Sequence, residues 1–363
     1  MKFDVLVIGG SAIGGAAAAA CSKYGLKTAI LEEDKEVGKY KRCTAICSEN
    51  GLKKTKIPYI DAILNKIRGG VIHSPNNKVK IKMKNNVGIV FDRQKFDGNS
   101  IERALSYGSV LFKEKRAISF YNFNNHYSVF AGNTFHSKII VGADGVASKT
   151  ASEFNFPQLK KIAYCFEKEV TNVDVPHLDL VDIYIDNENL PGFFGWCVPV
   201  DEKTVRVGFG VTKLNKFLDA KKFFYSQNSL SFLKKNTAKT IRKFNAAIPL
   251  GPREVTQIKG VLLVGDAAGQ TKATTGGGLV FGSQCAHILG EAVSDHINKG
   301  EKLEYENRWR KEFGSTLYFH KIVRRGIDLV PNYVLDFSVS FLKIPFINRL
   351  LSEAADMDYI IKI

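Results

Sequence analysis

The stretch that decides the fold of this chain reads Gly9-Gly10-Ser11-Ala12-Ile13-Gly14. The residues before it, 2–8, are mostly apolar and predict a buried strand, and the small residues after it, 16–24, predict a helix. A further apolar run, residues 26–31, predicts a second strand and leads into Glu32. A strand, a glycine-rich turn, a helix and a strand within about 30 residues are typical of a mononucleotide-binding βαβ unit.

The turn matches the pattern Gly-x-Gly-x-x-Gly at Gly9 and Gly14, while Ser11 occupies the middle position. That position must be small because the backbone there approaches a pyrophosphate, and serine is the smallest substitute that keeps a hydrogen-bonding group. The N–H groups at the start of the next helix can bind the same pyrophosphate, and Glu32 can accept hydrogen bonds from ribose hydroxyls. These residues predict a dinucleotide site, with a ligand-free glycine turn as the alternative.

A second glycine-rich signal follows an apolar strand predicted over residues 260–264, which leads into Gly265 and Asp266. The run Thr-Thr-Gly-Gly-Gly that ends at Gly278 then opens a helix predicted over residues 278–298. Successive glycines let a backbone pass close to a flat ring, and a helix N-terminus favours negative charge on it. We expect Asp266 to bind a ribityl or pyrophosphate group, and Gly278 and Leu279 to contact the ring edge. Since NAD needs no second site of this kind, the two signals together predict FAD.

The composition is that of a globular protein, with 45% hydrophobic residues, but the formal net charge of +16 is high. Such a charge suits nucleic acid, an anionic membrane surface or an acidic substrate. The sequence carries no recognisable nucleic-acid-binding motif, so we expect no nucleic-acid partner. The 6 cysteines are scattered and no leader precedes the first strand, which favours a cytoplasmic protein. Cys43 and Cys47 lack further ligands at metal-site spacing, so we predict no metal.

Residues 181–185 and 204–209 alternate between apolar and polar side chains, which predicts an antiparallel sheet with one covered face. The sequence from Glu304 onward predicts mostly helix. Other predicted elements are strands over 109–113, 116–121, 126–131 and 138–141, and helices over 100–107 and 220–235. We predict an α/β fold in which a Rossmann-like FAD-binding domain is interleaved with an α+β, antiparallel-sheet substrate domain. The predicted bounds are 1–58, 88–150 and 255–300 for the first domain, 59–87 and 151–254 for the second, and 301–363 for a helical C-terminal region.

Three motifs resemble those of the geranylgeranyl reductase family of flavoproteins, which shares the fold of para-hydroxybenzoate hydroxylase. They are Gly-Asp-Ala-Ala-Gly at 265–269, Thr-Thr-Gly-Gly-Gly at 274–278, and Gly-Ala-Asp-Gly at 142–145 with Ser148. The resemblance extends from the N-terminal turn to residues 355–358. It implies reduction of isoprenoid double bonds in archaeal-type membrane lipids, with FAD reduced by an external donor such as ferredoxin, reduced flavin or an NAD(P)H system. The flavin would deliver hydride from N5 to one alkene carbon, and a proton would reach the other.

The resemblance also assigns residues to the cofactor. Residues 41–48 match a cysteine-centred loop beside the flavin, and Arg93 matches the arginine of the family's Arg-x-x-Phe-Asp. Further cofactor-binding residues that it implies are Ile13, Cys43, Thr44, Ile46 and Ala117. Cys43 is the candidate proton donor, if its thiol stays protonated in an apolar site. The alternative is that Cys43 packs against the flavin ring.

The family's substrate motif, Pro-x-x-Tyr-x-Trp-x-Phe-Pro, corresponds to residues 191–199, where Trp196 and both prolines are present. Phe194 replaces the tyrosine and Val198 the phenylalanine, which affects the expected preference for chain length or double bond more than the chemistry. The resemblance thus implies Phe194, Trp196 and Pro199 as substrate-binding residues. An apolar, aromatic wall suits an isoprenoid chain, although aromatic residues on a strand also form ordinary sheet cores.

Other functions remain open on the same fold. An aromatic or quinone-precursor monooxygenase usually lacks the Thr-Thr-Gly-Gly-Gly run, and a flavin halogenase needs a lysine in glycine-rich surroundings, which the sequence does not reveal. A quinone-linked flavoprotein dehydrogenase would carry iron–sulfur cysteines near its C-terminus, whereas no cysteine follows Cys285. The basic character predicts peripheral contact with anionic lipid on the inner face of the cell membrane. No 18-residue apolar run predicts a membrane span.

Overall fold

The computed structural model describes residues 1–39, 42–83, 88–123 and 126–344. The predictions for Lys41, Val87 and residues 355–358 lie outside these ranges, as does the helical region beyond residue 344. The strands, numbered along the chain, are β1 (Lys2–Ile8), β2 (Thr28–Leu31), β3 (Ile46–Cys47), β4 (Ile63–Ile67), β5 (Gly69–His73), β6 (Lys78–Lys82), β7 (Gly88–Phe91), β8 (Val110–Phe112), β9 (Ser119–Phe123), β10 (His126–Phe130), β11 (Thr134–Gly142), β12 (Ile162–Thr171), β13 (Leu180–Tyr184), β14 (Gly195–Pro199), β15 (Val205–Val211), β16 (Lys239–Pro249), β17 (Gln257–Ile258) and β18 (Val261–Leu263). The α-helices are α1 (Ala12–Lys23), α2 (Glu49–Thr55), α3 (Arg93–Ser106), α4 (Lys149–Glu153), α5 (Phe217–Ser226), α6 (Leu279–Lys299), α7 (Tyr305–Trp309), α8 (Ser315–Leu329) and α9 (Asn332–Phe341).

An eight-stranded sheet forms the nucleotide-binding half, with the order β17-β18-β11-β1-β2-β8 and the β9–β10 hairpin attached to β11. β1 pairs in parallel with both β2 and β11, and β11 pairs in parallel with β18. The chain therefore leaves β1 toward β2 on one side and returns on the other side through β11. Ligands of doubly wound sheets bind at such a switch in strand order, beyond the carboxyl ends of the strands.

Helix α1 begins at Ala12, earlier than the predicted start at residue 16. Gly14 and Gly15, which the sequence interpretation placed before the helix, lie inside its first turn. Their missing side chains let α1 approach its neighbours. A methyl group at Gly15 would lie 2.6 Å from the Ser100 hydroxyl of α3, and one at Gly290 of α6 would lie 2.5 Å from Ala20. The small residues of α1 thus pack it between α3 and α6 against the sheet.

A seven-stranded sheet has the order β16-β12-β15-β14-β13-β5-β6, and its pairs are antiparallel except for β13 with β5. The prediction of an antiparallel sheet is confirmed in this part of the chain. The predicted helix over 220–235 is wrong in its second half, where α5 gives way to a 3-10 segment, Asn228–Lys234. Gln227 between them is not helical, with a ψ of 134°, and Asn228 and Ser229 are weak helix formers, so the helix ends there.

A separate three-stranded sheet has the order β3-β7-β4. It combines β4 from the predicted substrate domain with β3 and β7 from the predicted FAD-binding domain. The mixed α/β fold class is confirmed. The exact domain bounds stay a prediction.

The C-terminal region is helical as predicted up to residue 344, with a π-helical turn between α7 and α8. Its first part is anchored on the nucleotide-binding sheet: the buried Tyr305 hydroxyl donates to the Leu263 carbonyl over 3.0 Å, and Trp309 Nε1 donates to Thr256 over 2.9 Å. Across the described ranges, none of the helices combines the length and the apolar character that crossing a membrane requires.

Candidate active site

A cleft of about 620 Å³ opens beyond the carboxyl ends of β1, β2 and β11, at the switch in strand order. Six of the residues predicted to bind the cofactor line this cleft: Gly9, Ser11, Glu32, Arg93, Ala117 and Asp266. Ala246 and Ala247 of β16 line it too, so the seven-stranded sheet forms part of its wall. Residues far apart in the sequence therefore meet at one opening.

The turn after β1 is shaped by two glycines with different tasks. Gly9 has a φ of 101°, a left-handed conformation that favours glycine. Gly14 lies behind the turn, and a methyl group there would sit 1.9 Å from the Gly9 carbonyl oxygen. Gly14 thus permits the turn without lining the cleft. Ile13 packs behind it as well, against the positions of Gly265 and Gly282.

Glu32 is fixed at the end of β2 by two backbone donors. Gly10 N–H donates to its Oε2 over 2.6 Å, and Asp34 N–H donates to its Oε1 over 2.8 Å. Burial raises the pKa of Glu32 from its ordinary value, while these two hydrogen bonds oppose the rise. A methyl group at Gly10 would lie 2.8 Å from Glu32 Oε2, so Gly10 is required for this approach. The sequence interpretation did not assign a role to Gly10.

The sequence interpretation also missed the basic side chains of the cleft, which are Arg42, Lys115, Arg116 and Lys149. A cluster of cations at the N-terminal end of a helix such as α1 complements a diphosphate. Lys115 lies between the strands predicted over 109–113 and 116–121, and Arg116 begins the second of them, so their place at the end of a predicted strand was the available signal. By contrast, the Asp144 carboxylate accepts hydrogen bonds from Ser148 and Thr150, so it stabilises the start of α4.

Arg93 lies at the start of α3 and links the cleft to the cysteine loop. Its Nε is 2.7 Å from Asp97 Oδ1, and the same oxygen accepts the Ala12 N–H at the start of α1. Burial disfavours the charged form of Arg93, but the neighbouring Asp97 carboxylate and Cys43 thiol outweigh it and raise the arginine pKa. Cys43 therefore has a guanidinium beside it. The sequence interpretation made the role of Cys43 as a proton donor conditional on an apolar site, whereas the structure places a cation next to the thiol.

Asp266 lies at the inner end of the cleft, where burial raises its pKa and the nearby Arg93 opposes the rise. A methyl group at Gly278 would lie 2.9 Å from Asp266 Oδ1, so the start of α6 abuts this carboxylate. Leu279 is the first residue of α6 and packs, half-buried, on the core below. Gly278 and Leu279 thus lie next to Asp266, although neither lines the cleft itself.

A buried lysine was overlooked in this neighbourhood. Lys272 is 2% exposed, and a methyl group at Gly277 would lie 2.9 Å from its Cε. The glycine run before α6 therefore leaves room for the lysine side chain. The sequence interpretation found no active-site lysine in glycine-rich surroundings; Lys272 has a glycine neighbour but is not among the residues that line the cleft.

The predicted substrate residues lie on and beside β14. Phe194 stacks on Phe193 with ring centroids 4.3 Å apart, and Trp196 meets Phe194 edge-on at 5.8 Å. Phe194, Ile46 and Ala246 are half-buried against the same apolar cluster as Trp196. Ala246 also lines the cleft, so this cluster, the aromatic wall, extends to the cleft. Pro199 lies at the other end of β14, where its carbonyl accepts from Asn65. Pro199 is not among the described residues that line the cleft.

The cleft fits a dinucleotide. Glu32 offers acceptors for a ribose, the cations suit a diphosphate, and Gly9 and Gly10 line the opening without a Cβ that would fill it. In the described part of the chain, no three His, Cys, Asp or Glu side chains are grouped to hold a metal. The fold and this cleft define a flavoprotein oxidoreductase with a Rossmann-type cofactor site.

Known proteins identify the family more narrowly, although no family model matches the chain. The chain is 32% identical over 352 residues to the digeranylgeranylglycerophospholipid reductase of Methanocaldococcus jannaschii, which covers 92% of this chain and 89% of that protein. The protein of the same name from Methanosarcina acetivorans is 31% identical over 94% of this chain and 88% of its own length. The chain therefore belongs to the digeranylgeranylglycerophospholipid reductase family, within the geranylgeranyl reductase group of flavoproteins.

Solved structures agree on the fold. A geranylgeranyl bacteriochlorophyll reductase-like protein from Thermoplasma acidophilum superposes with a TM-score of 0.85 at 22% identity, covering 99% of this chain and 98% of that one. A flavin-dependent brominase superposes with a TM-score of 0.76 at 15% identity, covering 97% and 94%. Since both identities are low, these two likenesses concern the fold alone.

Proposed function

We propose that this chain is an FAD-dependent reductase that saturates carbon–carbon double bonds of geranylgeranyl chains in archaeal-type membrane lipids or their precursors. The observation that carries the proposal is the near full-length similarity to digeranylgeranylglycerophospholipid reductases, together with a cleft whose residues fit FAD. Bound FAD would supply the hydride. The protein would bind and orient the lipid, exclude water and provide a proton.

The cofactor residues proposed from the cleft are Gly9, Ser11 and Glu32 for the nucleotide side, and Arg93 and Asp266 for the ring side. Glu32 would accept from ribose hydroxyls, since two backbone donors already orient its carboxylate. Arg93 is held by Asp97, which presents its guanidinium to the cleft in a fixed direction. Ala117 lines the cleft as a small apolar surface, and Gly278 keeps the start of α6 close to Asp266.

Cys43 is proposed to face the reacting double bond and to provide the proton. It is half-buried, whereas the other five cysteines are buried. The Ala45 N–H donates to Cys43 Sγ over 3.3 Å, and Arg93 is its cationic neighbour. These two groups stabilise the negative charge that remains on sulfur after a proton has left.

Phe194 and Trp196 are proposed to line the path of the isoprenoid chain. Their rings belong to an apolar cluster that approaches the cleft at Ala246, and such a surface binds a hydrocarbon without needing hydrogen bonds. Pro199 is proposed to shape the far end of β14 and to act on the lipid only through that strand.

Two measurements test the proposal in sequence. The purified protein should show flavin absorption bands or take up added FAD, and lack of both would contradict the cofactor assignment. Incubation of chemically reduced enzyme with geranylgeranyl lipids should then give products heavier by two hydrogens per event in mass spectrometry. Oxygen insertion, or an unchanged lipid in the presence of bound and reduced FAD, would overturn the reductase assignment.

The second candidate is a flavin halogenase, which Lys272 makes worth testing. This lysine is buried beside Gly277, and the brominase has a similar fold. The family relationship at 32% identity favours the reductase over this alternative. Turnover with bromide, oxygen and an aromatic acceptor would distinguish them, since a reductase should give no brominated product.

The external electron donor is proposed to be ferredoxin, reduced flavin or an NAD(P)H system. Anaerobic mixing of the FAD-loaded protein with each donor, followed by the loss of flavin absorption, would identify it. A donor that reduces the flavin as fast as the enzyme turns over supports its assignment as the electron donor. A donor that reduces the flavin more slowly than turnover is excluded.

Peripheral binding to anionic lipid on the cytoplasmic face of the membrane is proposed for the C-terminal helices. Leu329, Tyr333 and Phe337 at α8 and α9 are 84%, 74% and 71% exposed, and the chain carries a net charge of +16. Exposed apolar side chains and excess positive charge together bind anionic bilayers at low salt.

Sedimentation with phosphatidylglycerol vesicles tests this binding, which should fall between low and physiological salt because ions screen the charges. Phe337→Ser should weaken it, whereas Ile60→Ser, which changes an equally exposed residue outside these helices, should not. Vesicle binding that changes neither with salt nor with Phe337→Ser would contradict the proposed membrane contact.

A further inference from the structure

Glu167 of β12 is a fully buried carboxyl group that no part of the proposed chemistry uses. Its side chain is 1% exposed, yet it accepts two hydrogen bonds on one oxygen, Oε2. One donor is the hydroxyl of Thr44, which follows Cys43 in the cysteine loop. The other is Nε1 of Trp196, over 2.9 Å. One buried oxygen thus connects the cysteine loop to the aromatic wall.

The cysteine loop is held on its backbone side as well. Arg206 of β15 is 3% exposed, and its Nη1 donates to the Thr44 carbonyl over 2.8 Å and to the Phe91 carbonyl over 3.1 Å. Glu167 and Arg206 therefore grip Thr44 from two sides, at its hydroxyl and at its carbonyl. Ala45, the next residue, has a φ of 54°, a left-handed conformation that is strained for alanine and needs support from the surrounding structure.

Burying a carboxyl group costs free energy unless hydrogen bonds or opposite charges compensate for the lost water. Both kinds of partner surround Glu167. Burial raises the pKa of Glu167, while the hydrogen bonds from Thr44 and Trp196 oppose the rise. Arg242 approaches the other oxygen, Oε1, at 3.5 Å. Glu169, two residues along β12, pairs with Arg206 and Arg242, but neither Thr44 nor Trp196 donates to it in the described structure. Glu169 offers a matched control.

We propose that Glu167 is a positioning residue that holds the Cys43 loop and Trp196 in a fixed mutual arrangement, so that the thiol and the hydrocarbon wall address the same site. Its carboxylate touches neither the lipid nor the cofactor in this proposal and acts through Thr44. The role assigned to Glu167 rests on the proposed function, but the structural link from Glu167 to the Cys43 loop can be measured without turnover.

The test is the rate at which iodoacetamide alkylates Cys43 in the full-length protein as purified, followed by peptide mass spectrometry. Since the other cysteines are buried, their labelling reports unfolding and serves as an internal check. Glu167→Gln should raise the Cys43 rate about tenfold, because loss of a charge-assisted hydrogen bond frees the loop. Glu169→Gln removes no bond to Thr44 and keeps an oxygen that can accept from Arg206, so it should raise the Cys43 rate by about twofold at most.

Thr44 supplies a second pair of variants in case Glu167→Gln does not fold. Thr44→Val removes the hydroxyl and should raise the Cys43 rate, while Thr44→Ser keeps the hydroxyl and should restore the parent rate. Equal rates for Thr44→Val and Thr44→Ser, or an equal rise for Glu167→Gln and Glu169→Gln, would overturn the proposal. Because no lipid is present, either result leaves the reductase assignment to the lipid mass measurement.

Discussion

The backbone N–H of Gly10 donates to Oε2 of Glu32 over 2.6 Å, which ties the turn after β1 to the end of β2. This bond orients the only carboxylate that the sequence predicts for the ribose. The absent side chain of Gly10 makes the approach feasible. Glu32 is therefore held in a defined orientation at the proposed nucleotide side of the cleft.

Gly14→Ala should abolish FAD binding. Its added methyl group would lie 1.9 Å from the Gly9 carbonyl oxygen, so the turn could not keep its shape. Flavin absorbance of the purified variant, and the thermal shift on adding FAD, measure the loss. Gly98→Ala is the control, since a methyl group there meets nothing within 4 Å on helix α3. That control should bind FAD normally and gain about 0.5–1 kcal/mol of stability, and similar behaviour of both variants would refute the prediction.

Glu32→Gln should weaken FAD binding about tenfold, because a charged acceptor makes stronger hydrogen bonds than a neutral amide. The dissociation constant can be measured by the quenching of flavin fluorescence. Glu33→Gln changes the neighbouring carboxylate, which is 60% exposed and pairs with Arg116 at 3.4 Å. We expect the Glu33 variant to bind within about twofold of the parent. Equal losses in the two variants would mean that general charge, rather than the placement of Glu32, matters.

Gly208→Ala should disturb the aromatic wall without touching the cofactor. The new methyl group would lie 2.5 Å from the Trp196 ring and 2.8 Å from the Phe166 carbonyl, so the ring must shift. The expected result is a several-fold higher KM for the geranylgeranyl lipid with unchanged FAD affinity. Gly326→Ala, where a methyl group meets nothing within 4 Å, provides the comparison. An unchanged KM in Gly208→Ala would argue against Trp196 as part of the lipid path.

His287 should make the stability of the protein depend on pH. Burial lowers its pKa from 6.5 to about 4, although the hydrogen bond to the Thr55 carbonyl opposes this shift. A depressed pKa means that the folded state prefers the neutral ring, so this contribution to stability is fully present above pH 6.5 and is lost as the pH falls toward 4. The full loss is on the order of 3 kcal/mol.

Urea unfolding of parent and His287→Gln at several pH values between 4 and 7 measures this effect. Glutamine can still donate to the Thr55 carbonyl but does not titrate, so its free energy of unfolding should fall less toward acid pH. Parallel curves for the two proteins would show that the acid sensitivity comes from other groups.

The local parts of the fold could be predicted because their signals lie in neighbouring residues. The apolar run before Gly9, the small residues after Gly14 and the position of Glu32 defined the βαβ unit, and the alternation over 204–209 defined a strand. The glycine requirement at 9 and 14 is likewise local, since it follows from the backbone turn itself. Helix bounds were predicted less well: α1 begins at Ala12 rather than at residue 16, and Gly15 in its first turn packs against α3, which lies far along the chain.

Tertiary structure alone decided which side chains share the site. Thr44, Glu167 and Trp196 come from three separate segments, and only the pairing of β12 with β15 and of β15 with β14 brings two of them beneath the cysteine loop. The sequence also could not predict the cationic neighbour of Cys43 or the burial of Lys272. Burial and charge environment depend on every element packed around a group. The sequence by itself therefore determined the backbone units and the kind of cofactor they suit. Their assembly determined the electrostatic surroundings of each side chain, since those interactions act through space between residues that the chain does not connect locally.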